Sequence, residues 1–146
     1  MITTEEKFLL DRMNAVAGKV GLGTLLNKCK NIVKVTYDVA VNGGAVGSIL
    51  LGTKIPSGAI VTRVFYQIKT AFTSTGNNGT LALSLQSAGD VLAAVDADTL
   101  SGIGSGIQDD AVANMLALTA ERELTAVVAT NALLTGKVDI FVEYVV

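Results

Sequence analysis

Ile32-Val33-Lys34-Val35-Thr36-Tyr37-Asp38-Val39-Ala40-Val41 is the stretch that decides how the chain is read. Val33, Val35, Tyr37, Val39 and Val41 alternate with Lys34, Thr36 and Asp38. That period of two puts one face of an extended strand in a dry interior and the other in water. Asn42-Gly43-Gly44 comes next, and because both residue types accept positive φ cheaply, the spacing predicts a turn into a second strand over Val46–Leu51.

The same grammar repeats downstream. Ile55-Pro56-Ser57-Gly58-Ala59 supplies another turn, and a long run follows through Ile60, Val61, Val64, Phe65, Tyr66, Ile68 and Phe72. Its middle is apolar at consecutive positions, so both faces are expected to meet packed material, with Val64, Phe65, Tyr66 and Ile68 forming a contact with a neighbouring subunit. Thr73 to Gly79 reads as a polar loop, and Leu81, Leu83 and Leu85 alternate with Ala82 and Ser84 as another strand. Val91 to Val95 fits a strand or a turn of helix. From Asp96 to Asp110 nothing is periodic, which predicts an exposed loop whose Ser101, Gly102, Gly104, Ser105, Asp109 and Asp110 are candidates for variable contacts. Met115 to Leu118, Glu121 to Ala129 and Lys137 to Val146 complete the strands. In the last, Val138, Ile140, Val142, Tyr144 and Val146 alternate with Asp139 and Glu143, which are expected to face solvent. The expected fold is therefore mainly β, a jelly-roll-like antiparallel β-sandwich of about eight strands over residues 31–146.

Residues 1–30 read differently. Thr3 and Glu6 have capping-box spacing, and Phe8, Leu9, Met13 and Val16 recur at helical spacing, predicting a short amphipathic helix from Thr4 to Ala17. Gly18, Gly21 and Gly23 break that pattern, and Leu22, Leu25 and Leu26 add a second apolar patch. This N-terminal helical arm with its Gly-rich connector is expected to be a docking device for a larger assembly.

Composition narrows the function. The 146 residues are the size of one domain, and charged residues are 16% of the chain against about 25% for an ordinary soluble domain, while hydrophobic residues reach 50%. A surface so short of charge is expected to be covered by subunit contacts. Net charge is −2 and the eleven Lys and Arg are scattered, which gives no footprint for nucleic acid. No stretch approaches the ~18–20 apolar residues of a membrane span, and the acidic start Met1-Ile2-Thr3-Thr4-Glu5-Glu6 is unlike an export signal. With one cysteine, Cys29, no intramolecular disulfide can form, which fits a reducing birthplace.

No catalytic, cofactor or metal site is expected. The chain has no His and no Trp, which removes the commonest general base. Gly102-Ile103-Gly104-Ser105-Gly106 lacks the Gly-Lys-Ser/Thr ending of a phosphate loop, and Asp96, Asp98, Asp109 and Asp110 lack the frame of a calcium loop. Glu121, Glu123, Asp139 and Glu143 alternate with apolar residues as a solvated face does, rather than as a glycosidase pair.

Lys30 to Asp38, Asn42 to Gly47, Ile60 to Tyr66, Leu124-Thr125-Ala126 and the ending Lys137 to Val146 resemble small virion proteins of tailed bacteriophages, the head-decoration, head-fibre and adaptor-like β-sandwich subunits. The resemblance spans about Lys30 to Val146. It implies a non-enzymatic structural protein made in the host cytoplasm and carried in the virion. It also implies a homotrimer, docked at one end on capsid or tail proteins, with no nucleic acid or membrane partner. Such relatives often carry a Trp-bearing mid-chain loop, and this chain has no Trp, which weakens an outward binding role for Ser101 to Asp110. The competing expectation is a carbohydrate- or receptor-binding module, against which stands an aromatic content of 5%.

Overall fold

The computed structural model describes residues 3–4, 30–106 and 115–146. The chain divides into two compact units, Met1–Asn31 and Ile32–Val146. Within the first, the docking-arm residues Phe8, Leu9, Met13, Val16, Leu22, Leu25 and Leu26 lie outside the described residues. The second is built almost wholly of strands: β1 (Lys30–Asp38), β2 (Gly47–Ile55), β3 (Ile60–Ser74), β4 (Thr80–Ser84), β5 (Leu92–Asp96), β6 (Ile103–Ser105), β7 (Leu116–Ala117), β8 (Arg122–Ala129) and β9 (Leu133–Val145). A single helical turn, α1 (Val39–Asn42), joins β1 to β2.

The strands form two sheets, one in the order β1-β9-β3-β6 with β7 also on β3, the other in the order β2-β8-β4-β5. The pairings with resolved register are antiparallel. Strands adjacent in sequence mostly belong to different sheets; β4 and β5 are the one directly paired succession. Both sheets turn one face into a common core. Val35, Tyr37, Val61, Val64, Phe72, Val138, Ile140 and Val142 come from the first sheet, and Ile55, Leu81, Leu83, Leu124, Ala126 and Val128 from the second. The period of two seen in the sequence is this inward alternation.

Three expectations need correction. The first strand does not run on to Val41. The Asp38 carboxylate accepts a hydrogen bond from the Ala40 amide at 3.0 Å and caps α1, which buries Val39 and leaves Val41 exposed. Its far end is fixed by Gly43 at φ 87° and by Gly44, which packs so closely on the Leu133 carbonyl that a Cβ would overlap it, while the Leu133 amide donates to Gly44 O at 2.7 Å. Second, the aperiodic stretch after Asp96 contains β6. The Tyr66 ring lies against Gly104 in space that a Cβ would need, and the amides of Ile68 and Gly106 donate to Gly102 O and Val64 O, so the glycines serve a strand beneath an aromatic ring. Third, Asp139 is not solvated, as the next subsection describes.

Val91 to Val95 resolves as strand, with β5 running Leu92–Asp96. Asp90 stabilises the approach by accepting from the amides of Leu85, Gln86 and Ser87 at 2.7, 2.8 and 2.7 Å, a tight side-chain-closed turn. At the other end of β4, Ser74 donates from its amide and hydroxyl to Asp98 and accepts from the Gly79 amide, tying the β3–β4 and β5–β6 connections together.

Because Leu124 is fully buried between the sheets whereas Leu50 is exposed on β2, Leu124→Ala should lower unfolding free energy by about 2–5 kcal/mol, while Leu50→Ala should change it by about 0.5 kcal/mol or less. Urea titrations of the two variants, followed by circular dichroism, would check the contrast.

Candidate interaction surface

The expected subunit contact on β3 divides between two faces. Val64 is fully buried and Tyr66 nearly so in the chain's own core, and Ile68 packs against that core. Val64 and Tyr66 thus turn into the chain's own core, and Ile68 is partly buried against it. Phe65 alone points outward. Its neighbours follow from register: Phe65 pairs with Phe141, Gln67 with Asp139, and Arg63 with Glu143 across β3 and β9. A register shift between Val61 and Arg63 lets both Val61 and Val64 point inward, and beyond it Val64 and Tyr66 face the core while Phe65 between them faces out.

On the outer face of this sheet the Phe65 and Phe141 rings stack with centroids 4.8 Å apart and planes 10° from parallel. Arg63 lies 5.3 Å from the Phe65 centroid and Lys34 6.0 Å from that of Phe141. Ile103, opposite Gln67 on β6, is 74% exposed and extends the apolar strip. The strip is an apolar centre with cations at its rim.

Asp139 sits in the same face. Its carboxylate is bonded by Lys34 Nζ at 2.9 Å and by the Thr36 hydroxyl at 2.7 Å, with Lys69 Nζ at 4.0 Å, and its side chain keeps only 6% of its surface in water. The alternation had put it on the correct face; what covers it is a lid of longer side chains from β1 and β3. The Lys34 and Thr36 hydrogen bonds hold its carboxyl below the ordinary carboxylate range, against desolvation, which acts the other way. Two lysines thus share one carboxylate.

The second sheet presents a different outer face. Ala82, Ser84, Ala88, Ala93, Ala94 and Val127 line a shallow hollow beside β5. Asp90 lies just before β5, Asp96 at its end and Asp98 just beyond, and their carboxylates accept hydrogen bonds from backbone amides and from the Ser74 hydroxyl. Of the expected loop positions, Ser101, Gly102 and Ser105 are exposed, Gly104 is half-buried under Tyr66, and Asp109 and Asp110 lie outside the described residues. Among the described residues no group of three or more potential metal ligands gathers, and no helix is long and apolar enough to cross a membrane.

No protein-family model and no curated protein matches the chain. Solved structures do. A chain of the acidic stable capsid structure of Helicobacter pylori bacteriophage KHP30 is 13% identical with a TM-score of 0.58, over 80% of this chain and 87% of that one. A chain of the cyanophage Pam1 capsid asymmetric unit is 19% identical with a TM-score of 0.57, over 80% and 84%. The capsid of Ralstonia phage GP4 gives 17% identity and a TM-score of 0.49, over 79% and 84%. At such identities the first two likenesses establish a shared fold.

The Asp139 cluster predicts an acid limb. Its folded-state pKa is lowered from the usual value near 3.9, so the stability it contributes is fully present above that value and is lost as pH falls through the lower folded pKa. Asp139→Asn should therefore be less stable than the wild type at pH 7, with the gap narrowing towards pH 2. Thermal melts of both proteins across that range would check the sign.

Proposed function

We propose that the chain is a non-enzymatic structural subunit of a tailed-phage virion, with a jelly-roll sandwich as its body. Strand orders β1-β9-β3-β6 and β2-β8-β4-β5 are what a jelly roll produces when paired strands fold over into two four-stranded sheets, with β7 a short addition. The observation that carries the reading is the breadth of the fold likeness: most of this chain superposes on most of two chains from phage capsid structures. An under-charged composition points the same way, since such a surface favours assembly over a solitary life in water.

Within that role the sandwich self-associates, as a trimer in the simplest ring, and residues 1–30 anchor it to capsid or tail proteins through Phe8, Leu9, Met13 and Val16. The outer face bearing Phe65 and Phe141 is apolar with a charged rim, the make-up of contact surfaces between proteins.

Light scattering of the purified full chain should give three times the 15.0 kDa chain mass. Phe8→Asp combined with Met13→Asp should leave that mass unchanged while abolishing incorporation into particles produced by the phage that encodes the chain. A stable monomer at high concentration, or undiminished incorporation of the arm variant, would count against the respective half of the proposal.

A further inference from the structure

The charges of the described residues are unevenly divided: the first sheet carries more cations than carboxylates, whereas the second with its flanking turns, despite Lys54 and Arg122, carries more carboxylates than cations. On the first, Lys34 and Lys69 share the single carboxylate of Asp139, leaving a net positive charge beside the Phe65–Phe141 stack. On the second, Asp90, Asp96 and Asp98 flank β5 and, among the described residues, form no ion pair; they stand beside a hollow floored by alanines and Val127. Among the described residues β5 is also the last strand of its sheet, with no further strand paired on its outer edge. Apolar centre and positive rim on one surface match apolar hollow and negative rim on the other.

We propose that the occupant of each surface is a second copy of this chain, joined head to tail: the Phe65–Phe141 face with Lys34 and Lys69 on one copy packs on the hollow and acidic β5 margin of the next. The proposal rests on the reading that the chain self-associates and specifies how. A contact between two different surfaces is heterologous, and when its rotation closes it generates a ring, which a self-matching contact does not do beyond a dimer. Like surfaces could not serve here, because two copies meeting through the Lys34 and Lys69 face would oppose positive charge with positive charge, and two meeting through β5 would oppose carboxylates. The same arrangement covers the open edge of β5 and places Ile103 inside a contact.

The test uses charge exchange in the full chain. Lys69→Glu and Ala94→Arg each replace an exposed residue on one of the two surfaces. Each alone should raise the dissociation constant of the assembly by about ten-fold or more, as like charges are brought together. In the double variant the introduced carboxylate on one surface faces the introduced guanidinium on the other, which should recover most of the lost affinity. Wild-type association should weaken with added salt as the rim charges are screened. Analytical ultracentrifugation reads all three, with circular dichroism as the fold control; if Ala94→Arg loses its sheet signal, Ala93→Lys on the same edge takes its place. A wild-type oligomer that neither β5 substitution weakens would overturn the head-to-tail pairing while leaving self-association standing. A wild-type chain that stays monomeric would overturn both. Weakening by each single variant without recovery in the double variant would also overturn it, since complementary charge would then not be what joins the copies.

Discussion

The pairing of β3 with β9 is the constraint on which the rest of the molecule depends. It brings Ile60–Ser74 against Leu133–Val145 and makes them the two inner strands of their sheet, with β1 beside β9 and β6 and β7 on β3. One face of the pair supplies Val61, Val64, Val138, Ile140 and Val142 to the core; the other supplies the Phe65–Phe141 stack and the Asp139 cluster. Core and candidate contact surface are the two sides of a single ladder. Closing so long a loop costs conformational entropy before any contact rewards it, and the contacts that do so are mostly non-local. Each strand must therefore carry strong local preference of its own, which the Val, Ile, Thr and aromatic content of both segments provides.

This division explains what could be read from the sequence. Alternation is a local property, and it found most of the strands, the inward residues of β1, β4 and β9, and the side of the sheet on which Asp139 stands. It found nothing that depends on register. Phe65 meets Phe141 from 76 positions away, and the lysines that cover Asp139 come from two other strands, so its burial has no trace in the order of residues around it. The β3 contact residues divide between faces for a related reason: Val64 and Tyr66 turn into the core while Phe65 turns out onto Phe141, and consecutive apolar letters do not say which face each one takes. Gly102 to Gly106 misled in the opposite direction. In a run of glycines that ordinarily announces a loop, Gly104 leaves the space that the Tyr66 ring takes against β6.

The shortage of charge in the whole chain takes a more specific form once the charges are placed. It is not spread evenly, since the first sheet carries Lys34, Lys69, Asp139 and their neighbours, whereas the hollow of the second is lined by alanine, serine and valine. Alanine colours a surface only weakly, and a hollow floored with it contributes little hydrophobic free energy per residue compared with a Leu- or Phe-lined one. Apolar burial at that surface is thus too weak to choose a partner by itself. In the proposed pairing its selectivity comes from the carboxylates around β5, which repel a copy of themselves and attract the face where, among the described residues, Lys34 and Lys69 share the carboxylate of Asp139. Weak individual contacts are also what a closed ring tolerates best, because each subunit is held at two of them and must break both to leave.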